Sequence, residues 1–108
     1  MNYTQEQMKF LKSLDFMRLG QAINHAQWQS AAMIIRRMDL QAKDAGFTDF
    51  ERLFTGIRQC INRKNIYEAK QLLALVVNKR AKHLNAISEE EKLLEIDKYK
   101  ILRKYYNQ

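Results

Sequence analysis

Few residues in this chain are of a type that does chemistry, and none stands where a partner would make it reactive. His25 and His83 are the two histidines. Each falls near an expected helix end, where the dipole favours imidazole, so a surface or capping role is expected of both and catalysis of neither. Cys60 borders an apolar stripe and reads as core filler, since free cysteine is often buried. A lone thiol cannot close an internal disulfide and suits a reducing cytoplasm. Glu89-Glu90-Glu91 reads as a helix start, not an acid–base pair. No His/Cys/Asp/Glu set has metal spacing, and no glycine-rich loop is present to cradle phosphate. The expectation is a protein with no metal, no cofactor and no enzymatic activity. Cations remain as the chemical feature, and they fall in two groups. One lies within the second helix: Arg36, Arg37 and Lys43, with Asp39 and Leu40 between them. The other runs along the second half: Arg58, Arg63, Lys64, Lys70, Lys79, Arg80 and Lys82.

Charge separates the halves. Net charge is +7 at neutral pH. The first 54 residues carry seven Lys/Arg against six Asp/Glu, the last 54 twelve against six. Such a bias suits an acidic partner, protein or nucleic acid, or else a solvated face rich in lysine. The tail mixes Lys98, Lys100, Arg103 and Lys104 with Tyr99, Tyr105 and Tyr106. That mixture can stack on bases and hold phosphates, though at helical spacing it more often forms an amphipathic rim.

The elements that must position these groups are helical. A chain of 108 residues is one domain, and it has no proline and three glycines, too few turn-formers for a sheet protein. Hydrophobic content is 46% and charged content 29%, ordinary for a folded domain. The longest charge-free apolar run, Leu72 to Val77, is far below the ~18 residues of a membrane span, so no membrane association is expected. The polar residues Met1 to Glu6 do not read as a secretory signal. Thr4-x-x-Gln7, Thr48-x-x-Glu51 and Ser88-x-x-Glu91 fit the capping box, and Asn65 precedes Glu68 as an Asn-capped relative. Gly46 fits a left-handed residue just past a helix end. These marks predict helices over 4–25, 27–45, 48–63, 65–85 and 88–106.

Each helix has a face to bury. Phe50, Leu53, Phe54, Ile57 and Ile61 make the cleanest stripe. Trp28, Ala31, Ala32, Ile35, Met38, Ala42 and Ala45 share a face on the second helix. Ile66, Ala69, Leu72, Leu73, Val76 and Val77 form a broad band on the fourth, suited to a central element. The first helix shifts phase near Asp15, which marks a bend. The stripe of 88–106 is less regular, fitting a helix that packs on the bundle, extends away, or pairs with another copy. Short connections force successive helices antiparallel. The expected architecture is one all-α domain over 1–108: an up-and-down antiparallel four-helix bundle over 4–85 with an additional C-terminal helix at 88–106. A faint echo between Ala22-Ile23-Asn24 and Cys60-Ile61-Asn62 reads as two similar hairpins, too few copies for a repeat array.

The order and spacing of residues 8–84 resemble a histidine-containing phosphotransfer (HPt) domain. The resemblance runs through Ala22-Ile23-Asn24, Trp28, Ile34-Ile35-Arg36-Arg37-Met38-Asp39-Leu40, Ala42, Gly46, Thr48-Asp49 and the hairpin that follows. In that family a His-x-x-Lys-Gly motif carries the phosphate. Here Arg36 stands at the histidine position, Asp39 at the lysine and Leu40 at the glycine. A guanidinium is always protonated and has no lone pair to attack with. The resemblance therefore implies a degenerate copy: a bundle of two-component signalling that binds a receiver-like protein, or another acidic surface, without phosphoryl transfer. Arg36, Arg37, Asp39, Leu40 and Lys43 would form its docking face. Two other classes stay open. One is a nucleic-acid binder using the basic set from Arg58 to Lys82. The other is a structural bundle that forms homo-oligomers through 88–106.

Overall fold

The computed structural model describes residues 3–106, apart from the side chains of Tyr99, Tyr105 and Tyr106. Among these residues there are five α-helices and no strand: α1 (Gln5–Leu11), α2 (Asp15–Asn24), α3 (Trp28–Asp44), α4 (Glu51–Arg63) and α5 (Ile66–Tyr106). The protein is an all-α helical bundle.

The first expected helix is two. α1 opens on its capping box: Gln7 N donates to Thr4 Oγ1 and Thr4 N donates to Gln7 Oε1, each at 3.1 Å. It ends at Leu11, and α2 restarts where Asp15 N donates to Ser13 Oγ at 3.1 Å. The phase shift near Asp15 is a full break and not a bend. Phe10 and Phe16 explain it. Six residues apart on one straight helix, they would point about 120° away from each other. The break turns both inward, with ring centroids 5.2 Å apart.

Gly46 ends α3 as its position implied. Its φ is +80°, and the bonds Gly46 N→Lys43 O (3.0 Å) and Phe47 N→Ala42 O (2.9 Å) make a Schellman turn. α2 and α4 close with the same bond pattern through Ala26 (φ 51°) and Lys64 (φ 54°), neither of them glycine. The box at Thr48 does not form. α4 starts at Glu51, and its N-cap Phe50 has helical backbone angles with no side-chain bond. Phe47 and Phe50 are both drawn into the core, and this burial sets the chain's entry into α4. Asn65 does cap α5, accepting from Glu68 N at 3.2 Å.

The expected helix over 88–106 is not separate. α5 is continuous for 41 residues, about 61 Å at 1.5 Å per residue. A capping box starts a helix only where the previous one has stopped. Ala86, Ile87 and Ser88 include no glycine or proline to stop it.

Helix contacts run α2–α3, α3–α4, α4–α5 and α5–α2, a closed ring of four, and α1 lies across α3 and α5. All five phenylalanines meet inside it. Phe10 lies 5.5 Å from Phe50, 5.7 Å from Phe47 and 6.5 Å from Phe54, and Phe50 stacks on Phe54 at 5.6 Å. Leu11, Leu19, Ile23, Ile35, Met38, Ile57 and Val76 fill the rest. Gly56 lets α5 approach α4: a Cβ there would lie 2.9 Å from Leu72 Cδ1. Ile87 is the last buried residue of α5, and beyond Glu90 the described side chains are all exposed. The molecule measures 68 × 23 × 18 Å.

Candidate functional site

α3 sorts its residues by helical phase. Ala31, Ile35, Met38 and Ala42 face the core. The opposite side carries Met33, 67% exposed, and Leu40, 58% exposed. Arg36 lies between them at i+3 from Met33 and i−4 from Leu40, on the same face. It is exposed and makes no hydrogen bond or ion pair with the described residues. A cation flanked by two exposed apolar side chains can pair with a carboxylate and cover apolar surface at the same place.

The other residues of the expected docking face divide. Arg37 does not point outward beside Arg36. It forks onto Asp15, donating from Nε to Oδ2 at 2.9 Å and from Nη2 to Oδ1 at 2.8 Å. Asp15 is 3% exposed and also accepts from Arg18 Nη1 at 3.3 Å. The bonds from Arg37 hold its carboxyl below the usual carboxylate range despite the cost of burial. Asp39 is 4% exposed, with Lys43 Nζ at 3.3 Å and Arg58 Nη2 at 3.2 Å from its Oδ2. It neutralises cations inside the α3–α4 seam and presents no bare negative charge to a visitor. Arg37 and Lys43 are exposed but held by carboxylates, so Arg36 and Leu40 remain as the exposed residues without a partner among the described residues, and Met33 joins them unforeseen by motif.

The basic set from Arg58 to Lys82 is not one face. Arg58 serves Asp39. Lys79 lies 3.9 Å from Asp49. Arg80 turns inward: its Nε donates to the Leu11 carbonyl at 2.7 Å and its guanidinium sits 4.8 Å over the Phe16 ring. It closes the C-terminal end of α1. Arg63, Lys64, Lys70 and Lys82 are exposed, yet Lys70 and Lys82 are about 18 Å apart along α5 and on different sides of it. In the tail, the side chains of Tyr99, Tyr105 and Tyr106 lie outside the described residues.

Two clusters had no sequence signal. Asp15 with Arg37 is one, since 22 residues separate them. The other joins the N-terminal segment to α5. His83 Nε2 and Asp49 Oδ2 are 2.8 Å apart, and Tyr3 Oη and His83 Nδ1 are 2.7 Å apart. The tautomer that donates from Nε2 to Asp49 leaves Nδ1 to accept from the Tyr3 hydroxyl. Burial, then Glu90 and Asp49, push the Tyr3 phenol up. His83 packs on Phe47 at 5.0 Å and Phe50 at 5.8 Å. It lies within α5, half-buried, and caps no helix end. His25 does end α2, its N–H donating to Gln21 O. Cys60 is buried, which pushes its thiol up and away from reactivity.

No protein-family model, curated protein or solved structure matches the chain. Among the described residues no helix is long and apolar enough to cross a membrane.

Proposed function

We propose that this protein is a non-catalytic, HPt-like interaction module of the cytoplasm, which docks a receiver-like or other acidic protein surface on the outer face of α3. The observation that carries the proposal is Arg36: exposed, unpaired among the described residues and bracketed by Met33 and Leu40. A phosphotransfer bundle would hold its nucleophile at such a place, mid-helix and open to a partner. A guanidinium there reaches a carboxylate or phosphate on the partner through paired hydrogen bonds and accepts nothing covalently. Met33 and Leu40 supply apolar contact around it. Burial of Asp39 beneath Lys43 and Arg58 removes the repulsion that a surface carboxylate would impose there.

The test is titration with isolated receiver domains by calorimetry. Binding should weaken at least about tenfold in Arg36→Glu, which is about 1.4 kcal/mol. Leu40→Ala should weaken it less. Equal affinity for Arg36→Glu and the parent, or base-stable and acid-labile phosphate transferred to the chain, would remove this function.

A further inference from the structure

The continuity of α5 leaves a charge pattern without a local cause. Glu89, Glu90 and Glu91 would suit a helix start, but they lie more than twenty residues inside α5, where the macrodipole has no effect. Glu90 has some business with the bundle, since it acts on the Tyr3 phenol. The rest of the block, with Glu95 and Asp97, makes no side-chain hydrogen bond or ion pair among the described residues. Lys98, Lys100, Arg103 and Lys104 follow at once. The exposed half of α5 is thus acidic in its first part and basic in its second. Along the same stretch Leu93, Leu94, Ile96, Ile101 and Leu102 are 62%, 55%, 51%, 58% and 46% exposed. Leu94 and Ile101 follow Ile87 at successive intervals of seven, prolonging the line by which α5 meets the bundle.

A helix with acid first and base second complements itself only when the second copy runs the other way. We propose that the distal half of α5 pairs with the same segment of a second copy, antiparallel, about a two-fold axis between Asp97 and Lys98. In that register Leu94 packs against Ile101 of the other copy. Glu95 comes beside its Lys98, and Asp97 beside its Lys100, all on the flanks of the seam. The contact is isologous and closes as a dimer. A parallel pair would instead lay the acidic stretch along the acidic stretch and the basic along the basic. The pairing is independent of the α3 face and stands or falls without it.

Sedimentation equilibrium of the full chain should give twice the 12.9 kDa chain mass. The double reversal Glu95→Lys/Asp97→Lys should raise the dimer dissociation constant about a hundredfold, because each flanking pair turns repulsive. Lys98→Glu/Lys100→Glu should do the same. Mixing the two variants should restore the dimer, which excludes misfolding as the cause. In a Cys60→Ala background, Leu94→Cys and Ile101→Cys chains should form disulfides with each other and not with themselves. A single-chain mass up to millimolar concentration, charge reversals without effect, or Leu94→Cys chains that cross-link to themselves would each overturn the proposal.

Discussion

Arg36 and Arg37 are neighbours in the chain and opposites in use. Successive helical residues differ by about 100°, so one guanidinium is left to solvent while the other reaches across to α2. Asp15 is what that reach serves. Asp15→Asn keeps the shape but loses the charge that Arg37 and Arg18 share, at a cost of about 1–3 kcal/mol near neutral pH. The pH dependence has a definite sign. The folded-state pKa of Asp15 is lowered, so its contribution is complete above the unfolded carboxylate value of about 4 and is lost as pH falls through the lower folded value. Thermal melts should show the gap between the parent and Asp15→Asn closing on acidification below about pH 4. A constant gap down to pH 2 would mean the ion pair is not the source. Nothing in the sequence marks Asp15 for this role; it reads as an acid within the first expected helix, beside a bend. Its partner is set by how α2 lies on α3, which pattern alone does not reveal.

At the scale of elements, the punctuation of the sequence was legible where a local signal met no opposition. Thr4, Gly46 and Asn65 do what their types imply. Thr48 does not, because Phe47 and Phe50 are held in the core on either side of it and fix the backbone first. Ser88 does not, because the helix before it never ends. This distinction is measurable. In a continuous helix Ser88→Ala replaces a weaker helix former with the best one and should raise helicity and stability by about 0.5 kcal/mol. Were Ser88 an N-cap, the same change would cost about 1 kcal/mol. Carbon chemical shifts of residues 84–92 and urea denaturation separate the two outcomes by sign. The breaks at Ala26 and Lys64 were legible, since the expected helices stop on either side of them, but their left-handed backbone was not: a left-handed residue that is not glycine carries no mark in the sequence, and only the direction of the next helix requires it.

The whole molecule is elongated. Its radius of gyration is 18.2 Å, against about 13 Å for a compact chain of this length. The distal half of α5 makes the difference, and it bears on the shape of any dimer. Two 68 Å protomers overlapping antiparallel along residues 89–106, about 27 Å, would span roughly 110 Å with a bundle at each end. Small-angle scattering should show that maximum dimension with a two-lobed distance distribution. A dimer no longer than one protomer would mean that the bundles lie side by side and that the pairing is parallel or elsewhere.

By itself the sequence determined that the chain is helical, where most apolar stripes lie, that Cys60 is interior and that Arg36 sits mid-helix. These follow from the absence of proline, from helical periodicity and from residue chemistry, all of which act within a few turns. Tertiary structure decided the rest. It broke the first helix to bring five phenylalanines together, and it joined the last two. It set Arg37, Arg58, Lys79 and Arg80 against carboxylates, a carbonyl and a ring of other elements, and it tied Tyr3 to His83 and His83 to Asp49. The reason is range: a charge's partner and a ring's neighbours are chosen by packing between helices far apart in the chain, and no local pattern encodes that choice.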